Sequence, residues 1–188
     1  IFLERICNIR HKIKGEENIP KEAVLITAKH QSAFETLALY YYLKDCFFVH
    51  KKELFLIPIF GQYLYKSNMV AIDRKGGTKT MRVMLEKVSS KLKSGSSIII
   101  FPEGTRKVPG SEPDYKTGFI GIYNHTRKKI LPIAVNSGLC WPKHSWILKS
   151  GLITIQILPL IKENIDKKTL LNKVQENIEL ASNKLLTL

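Results

Sequence analysis

At 188 residues, with 44% hydrophobic and 24% charged side chains, the chain has the length and composition of one globular domain with a sizeable core, which excludes a disordered segment. Its 30 Lys and Arg against 16 Asp and Glu give a net charge of +14, a field that favours nucleic acid, anionic lipid headgroups, phosphorylated substrates or an acidic carrier protein without choosing among them. Cys7, Cys46 and Cys140 are widely spaced and form no CxxC pair, so neither a disulfide framework nor a zinc site is indicated and a reducing compartment fits. No apolar run approaches the roughly 18 to 20 residues of a transmembrane helix, and the first residues of this sequence do not have the pattern expected of a cleavable signal. The start at Ile1 without methionine raises the expectation that residues upstream are missing.

In chain order, AVLIT (23–27) reads as a strand and 34–43 as a helix. CFFV (46–49) is a short strand, and ELFLIPIFGQYL (53–64) a helix that Pro58 should kink or end. MVAI (69–72) is a strand. Residues 78–92 put Met81, Met84, Leu85, Val88 and Leu92 on one face of an amphipathic helix. SSIIIF (96–101), ILPIAV (130–135) and GLITIQIL (151–158) are strands, and residues 166–188 close as a helix with a stripe of Leu171, Val174, Ile178, Ala181 and Leu185. Residues 104–118, rich in Gly, Pro and charge, read as a loop. Strands alternating with helices predict an α/β fold, a single domain over 1–188 whose mostly parallel sheet is flanked by helices. Ligands of such folds bind outside the carboxyl ends of the strands. Three polar clusters fall there: His30 after AVLIT, Asp73-Arg74 after MVAI, and Pro102 to Arg106 after SIIIF.

His30 and Glu35 are the first candidates. On one ideal helix five residues separate side chains by about 140°, too far to touch. With His30 in a strand-to-helix turn and Glu35 in the first helical turn, the carboxylate folds back to the ring, fixes its tautomer and leaves the other nitrogen as a base. A surface histidine beside a helix-terminal glutamate is the plainer account of an isolated pair. In FPEGTR (101–106), Gly104 lets a ligand approach the backbone and Arg106 offers a fork suited to phosphate, although Pro-Glu-Gly is also an ordinary turn. AIDRKGGTKTMR (71–82) sets Arg74 and Lys75 before a glycine pair and a helix that Thr78 can cap. It lacks P-loop spacing. With no GxSxG elbow, Ser32 is expected to bond local backbone rather than act as nucleophile. The other histidines show no metal-ligand spacing, and the tyrosines Tyr40 to Tyr42 are expected to pack in a core or interface.

Together these clusters resemble the glycerolipid acyltransferase family, specifically bacterial 1-acylglycerol-3-phosphate acyltransferases of the PlsC type. KHQSAFE looks like the first of that family's four blocks (HxxxxD), NMVAIDR is similar to the second, FPEGTR to the third and ILPIAV to the fourth, across roughly residues 29 to 136. Two departures stand out: Glu35 replaces the family's aspartate, and Asn68 replaces a glycine. The resemblance implies direct transfer of a fatty acyl group from acyl-CoA or acyl carrier protein to the free hydroxyl of lysophosphatidic acid, with no bound cofactor or metal. It implies His30 as base and Glu35 as its orienting partner. Arg106, Arg74 and Lys75 would hold the phosphate, Gly104 and Thr105 would line the acceptor site, and Glu103 would bond a glycerol hydroxyl or hold an arginine. Backbone amides near Gly104 are candidates for the oxyanion. The family commonly carries an N-terminal membrane-associating segment, so association with the cytoplasmic face of an anionic membrane is expected. Apolar residues of 54–64, among them Phe55, Ile57, Ile59 and Phe60, are open to three roles: an acyl tunnel, a membrane-facing surface or plain core. A basic module for nucleic acid or anionic membrane is the alternative from another class, yet most aromatics fall in helical or strand runs rather than between surface lysines.

Overall fold

The computed structural model describes residues 2–67, 69–73, 77–145, 147–161 and 165–187. Its strands are β1 (Ile9–Lys14), β2 (Leu25–Ala28), β3 (Cys46–Lys51), β4 (Val70–Ile72), β5 (Ser97–Ile100), β6 (Ile130–Val135) and β7 (Gly151–Ile157). Its helices are α1 (Phe2–Cys7), α2 (Phe34–Tyr42), α3 (Phe60–Lys66), α4 (Gly77–Lys93), α5 (Gly118–Thr126) and α6 (Lys167–Leu186). One sheet runs in the order β1-β7-β6-β2-β5-β3-β4. β6, β2, β5, β3 and β4 are parallel neighbours, whereas β7 meets β6 antiparallel and takes β1 beside it in parallel. This is the expected α/β domain.

Side-chain alternation along the central strands splits the core into two layers. Leu25, Ile98 and Ile130 face α4, α5 and α6, meeting Val88, Tyr123 and Val174. Val24, Ile26, Leu131 and Ile133 face the other way, against Phe34 and Leu39 of α2. The outcome that matters for the site is positional. β6, β2 and β5 lie side by side and parallel, so residues just after each of them gather at one end of the sheet.

Four elements differ from expectation, the first being α1, for which residues 2–7 gave no reading. Residues 53–64 are not one helix: a 3-10 turn (Lys52–Leu56) is followed by a reversal at Pro58 and Ile59 before α3 starts. α5 falls where the loop was expected to end, because Phe119, Ile120, Ile122 and Tyr123 are buried against the sheet and neighbouring helices despite two glycines in the helix. β1, IRHKIK, carries charge at alternate positions and was not read as a strand; it is an edge strand that buries Ile9 and leaves its basic residues largely outside.

Candidate active site

The turn between β2 and α2 brings His30 and Glu35 together. Glu35 lies in the first turn of α2 and is fully buried. Its Oε1 accepts from His30 Nδ1 at 2.8 Å and from the amides of Gln31 and Ser32, each at 2.7 Å. Its Oε2 accepts from the Ser32 hydroxyl at 2.8 Å and from the Ser137 hydroxyl at 2.6 Å. Ser32 Oγ in turn accepts from the Phe34 amide, so this serine does bond the local turn. Burial pushes the Glu35 carboxyl up, but hydrogen bonds from His30 and Ser137, the nearby imidazole charge and the Ser32 amide outweigh it and hold the carboxyl below the ordinary glutamate range. With Nδ1–H committed to a carboxylate, the lone pair of the neutral ring lies on Nε2. The ring keeps 17% of its surface exposed and stacks on Phe101 with centroids 4.0 Å apart. It is held in orientation and still reachable.

The backbone under His30 is held from the third block. Glu103, 1% exposed, accepts from the His30 amide through Oε2 (2.8 Å) and from Lys29 Nζ through Oε1 (2.8 Å). Glu103, expected to bond a glycerol hydroxyl or to hold an arginine, has both oxygens engaged by Lys29 and the His30 backbone. Lys29, itself 1% exposed, also donates to Glu179 Oε1 of α6 at 2.7 Å, and that oxygen accepts from the Tyr115 hydroxyl at 2.9 Å. Burial raises the Glu103 pKa above the ordinary range and the Lys29 ammonium opposes it only in part. Burial and the neighbouring carboxylates likewise push the Tyr115 phenol up, keeping it a neutral donor.

Only Gly104 and Thr105 of FPEGTR are exposed, whereas Pro102 is buried and Phe101 and Arg106 are half-buried. Gly104 has φ +66°, a conformation suited to glycine, and a side chain there would meet only Lys116 Cγ at 3.9 Å. The Gly104 amide is taken by the Phe101 carbonyl. Thr105 is exposed and its hydroxyl accepts from Lys143 Nζ at 3.4 Å. Arg106 is half-buried, and the Lys107 amide donates to the His30 carbonyl at 2.8 Å, which lays the loop alongside the histidine. Arg74 and Lys75 lie outside the described residues. The strand before them, β4, is the sheet edge, separated from β2 by β5 and β3. At about 4.8 Å per strand its end stands about 14 Å from that of β2.

Four residues of this arrangement escaped sequence reasoning: Lys29, Tyr115, Ser137 and Glu179. Ser137 follows β6, so three adjacent strand ends contribute, with His30 after β2, Glu103 after β5 and Ser137 after β6. Ser137 obeys the same strand-end rule as His30 and Glu103, but no motif surrounds it in the sequence. Glu179, in the middle of a long helix, carried no signal.

A profile of the acyltransferase family matches residues 10–136. The chain is 35% identical over 160 residues to a 1-acyl-sn-glycerol-3-phosphate acyltransferase of Pseudomonas aeruginosa, an alignment covering 85% of this chain and 62% of that protein. To a protein of the same name from Cocos nucifera it is 30% identical over 168 residues, covering 88% and 54%. The chain therefore spans between about half and two thirds of the length of these relatives. The crystal structure of the 1-acyl-sn-glycerophosphate (LPA) acyltransferase PlsC from Thermotoga maritima superposes with a TM-score of 0.80 over 95% of this chain and 73% of that one, at 24% identity, a likeness of fold.

Proposed function

The chain belongs to the acyltransferase family, and from that premise we propose that it moves a fatty acyl group from an acyl-CoA or acyl-carrier-protein thioester to the free hydroxyl of lysophosphatidic acid, giving phosphatidic acid. The observation that carries this reading is the His30–Glu35 pair, two residues past the end of β2, with Nδ1 on a buried carboxylate and the imidazole still partly exposed. An alcohol is a poor nucleophile at neutral pH. His30 Nε2 takes its proton as the oxygen adds to the thioester carbonyl, and Glu35 stabilises the imidazolium that forms. When the carbonyl re-forms, the C–S bond breaks and the imidazolium returns the proton to the departing thiolate. No covalent acyl-enzyme is needed, because a thiolate leaves readily.

Arg106 is the first choice for the acceptor phosphate, with Arg74 and Lys75 as further contacts. Thr105 and the side-chain-free surface of Gly104 leave room for the glycerol backbone. The Gly104 amide is engaged, so the amides of Thr105 and Arg106, which have no protein acceptor among the described residues, are the donors offered to the oxyanion. The positive net charge suits anionic substrates and work at the cytoplasmic face of an anionic membrane.

Thiol release from a long-chain acyl thioester, with and without lysophosphatidic acid, tests the reading. Acceptor-dependent release should fall by about 10² to 10⁴ in His30→Ala. Near-normal turnover in that variant removes His30 as base. Release with glycerol 3-phosphate or another lysolipid in place of lysophosphatidic acid would keep the chemistry and change the acceptor.

A further inference from the structure

The 3-10 turn at residues 52–56 and the start of α3 form a tip with an unusual surface. From Leu54 to Gly61 the chain has no polar side chain. Yet Leu56 and Ile59 are each 83% exposed, and Phe55 and Ile57 are exposed as well. Apolar residues this concentrated on a monomer's surface mark an interaction site.

The tip is held in shape by its own backbone. The Ile57 amide donates to Leu54 O, the Gly61 amide to Ile57 O at 2.7 Å and the Tyr63 amide to Ile59 O at 3.0 Å. A side chain at Gly61 would lie 2.1 Å from the Phe55 carbonyl oxygen, so the two arms cross at contact. Ile59 has φ +65° and ψ −55°, strained for a β-branched residue, and this strained residue points its side chain into solvent. The Ile57, Gly61 and Tyr63 amides, satisfied within the turn, can leave water without losing partners, which favours a surface entering hydrocarbon.

Charge indicates which apolar phase is met. Exposed Lys51, Lys52 and Lys66 flank the tip, with Glu53 the one acidic side chain between residues 51 and 67. Exposed Tyr65 and Tyr63 on α3 have the amphipathic rings found at headgroup level. A row of rings also joins the tip's base to the candidate active site: His30 on Phe101 at 4.0 Å, Phe101 on Phe48 at 5.7 Å, Phe48 near Tyr40 at 6.5 Å, and Tyr40 near Tyr63 at 6.3 Å. We propose that the tip at residues 55–59 inserts into the outer hydrocarbon of an anionic bilayer leaflet while Lys51, Lys52 and Lys66 sit on its headgroups. This deepens the lipid-substrate reading above and rests on it for its purpose, but it is tested without any acyl transfer.

The experiment is sedimentation of the 188-residue chain with vesicles of phosphatidylcholine alone or of equimolar phosphatidylcholine and phosphatidylglycerol, with no substrate present. Binding should favour the anionic vesicles. Leu56→Ser with Ile59→Ser should weaken it by about tenfold or more without lowering the melting temperature, since both side chains stand in solvent. Lys51→Gln with Lys52→Gln should weaken binding to the anionic vesicles alone, by about tenfold, and reduce its salt dependence. Unchanged partitioning in the serine variant overturns the proposal, as does failure of the wild-type chain to bind. A wild-type dimer in vesicle-free solution that the serine variant turns into a monomer would make the tip a contact between copies and also overturn it.

Discussion

Glu35 accepts five hydrogen bonds, more than holding one imidazole requires. Replacing it with Gln turns an acceptor oxygen into a donor that faces other donors. Glu35→Gln should therefore lose about 10² or more in turnover and about 1–3 kcal/mol of stability in urea melts. Glu35→Asp keeps the charge but withdraws it by one methylene from the Ser137 hydroxyl, and should retain turnover within about tenfold. Equal turnover in the two variants would remove the orienting role. The pH dependence has a definite sign. The Glu35 carboxyl is lowered in the folded state, so its stabilisation is present above the unfolded value of about 4.3 and is lost as pH falls through the folded value. Glu103 is raised and runs the other way: its ionisation costs stability as pH rises from about 4.3 through its folded value. The urea midpoint should consequently drop less between about pH 6 and about pH 3 in Glu35→Gln than in wild type. The His30–Glu35 contact was legible because turn and helix geometry over five residues is local. Ser137 was not, because 102 residues separate it from Glu35 and a lone serine after a strand resembles any other.

Between elements, Lys29 ties the end of β2 to the β5 loop and to α6. Lys29→Met strands Glu103 in the interior without its cation and should cost about 3–5 kcal/mol in a urea melt. Glu179 borders solvent, at 13% exposure, and its amide analogue still accepts from Tyr115, so Glu179→Gln should cost less, about 1–3 kcal/mol. The strands whose apolar runs are central to the sheet were readable to within two residues. α6 began one residue after its expected start because Asp166 caps it, its side chain accepting from the Lys168 and Thr169 amides. The elements that were missed or altered are those whose state is decided by tertiary packing. β1 is a strand only because β7 pairs with it, and α5 is a helix because its apolar face is covered. Pro58 signalled a break in residues 53–64, but no periodicity could show that the apolar side chains there would stay outside.

Across the molecule, the excess of basic residues sets how the chain meets charged partners at a distance. With a Debye length of about 10 Å at 0.1 M salt, the attraction is screened early. Raising salt from about 0.05 to about 0.5 M should raise KM for a thioester of coenzyme A several-fold and leave kcat little changed. A kcat loss of the same size would place the effect in the chemical step. The family match ends at residue 136, yet one hydroxyl on Glu35 comes from Ser137, the next residue, and one carboxylate on Lys29 from Glu179, far beyond it in α6. That separation has a consequence for the order in which the ribosome makes the chain. His30, Glu35 and Glu103 emerge early, but Lys29 waits 150 residues for Glu179, so a nascent chain carries the His30–Glu35 pair long before the helix that braces its neighbour. The unfinished polypeptide holds the residues around His30 before Lys29 has its second carboxylate, and the buried network closes only when α6 docks.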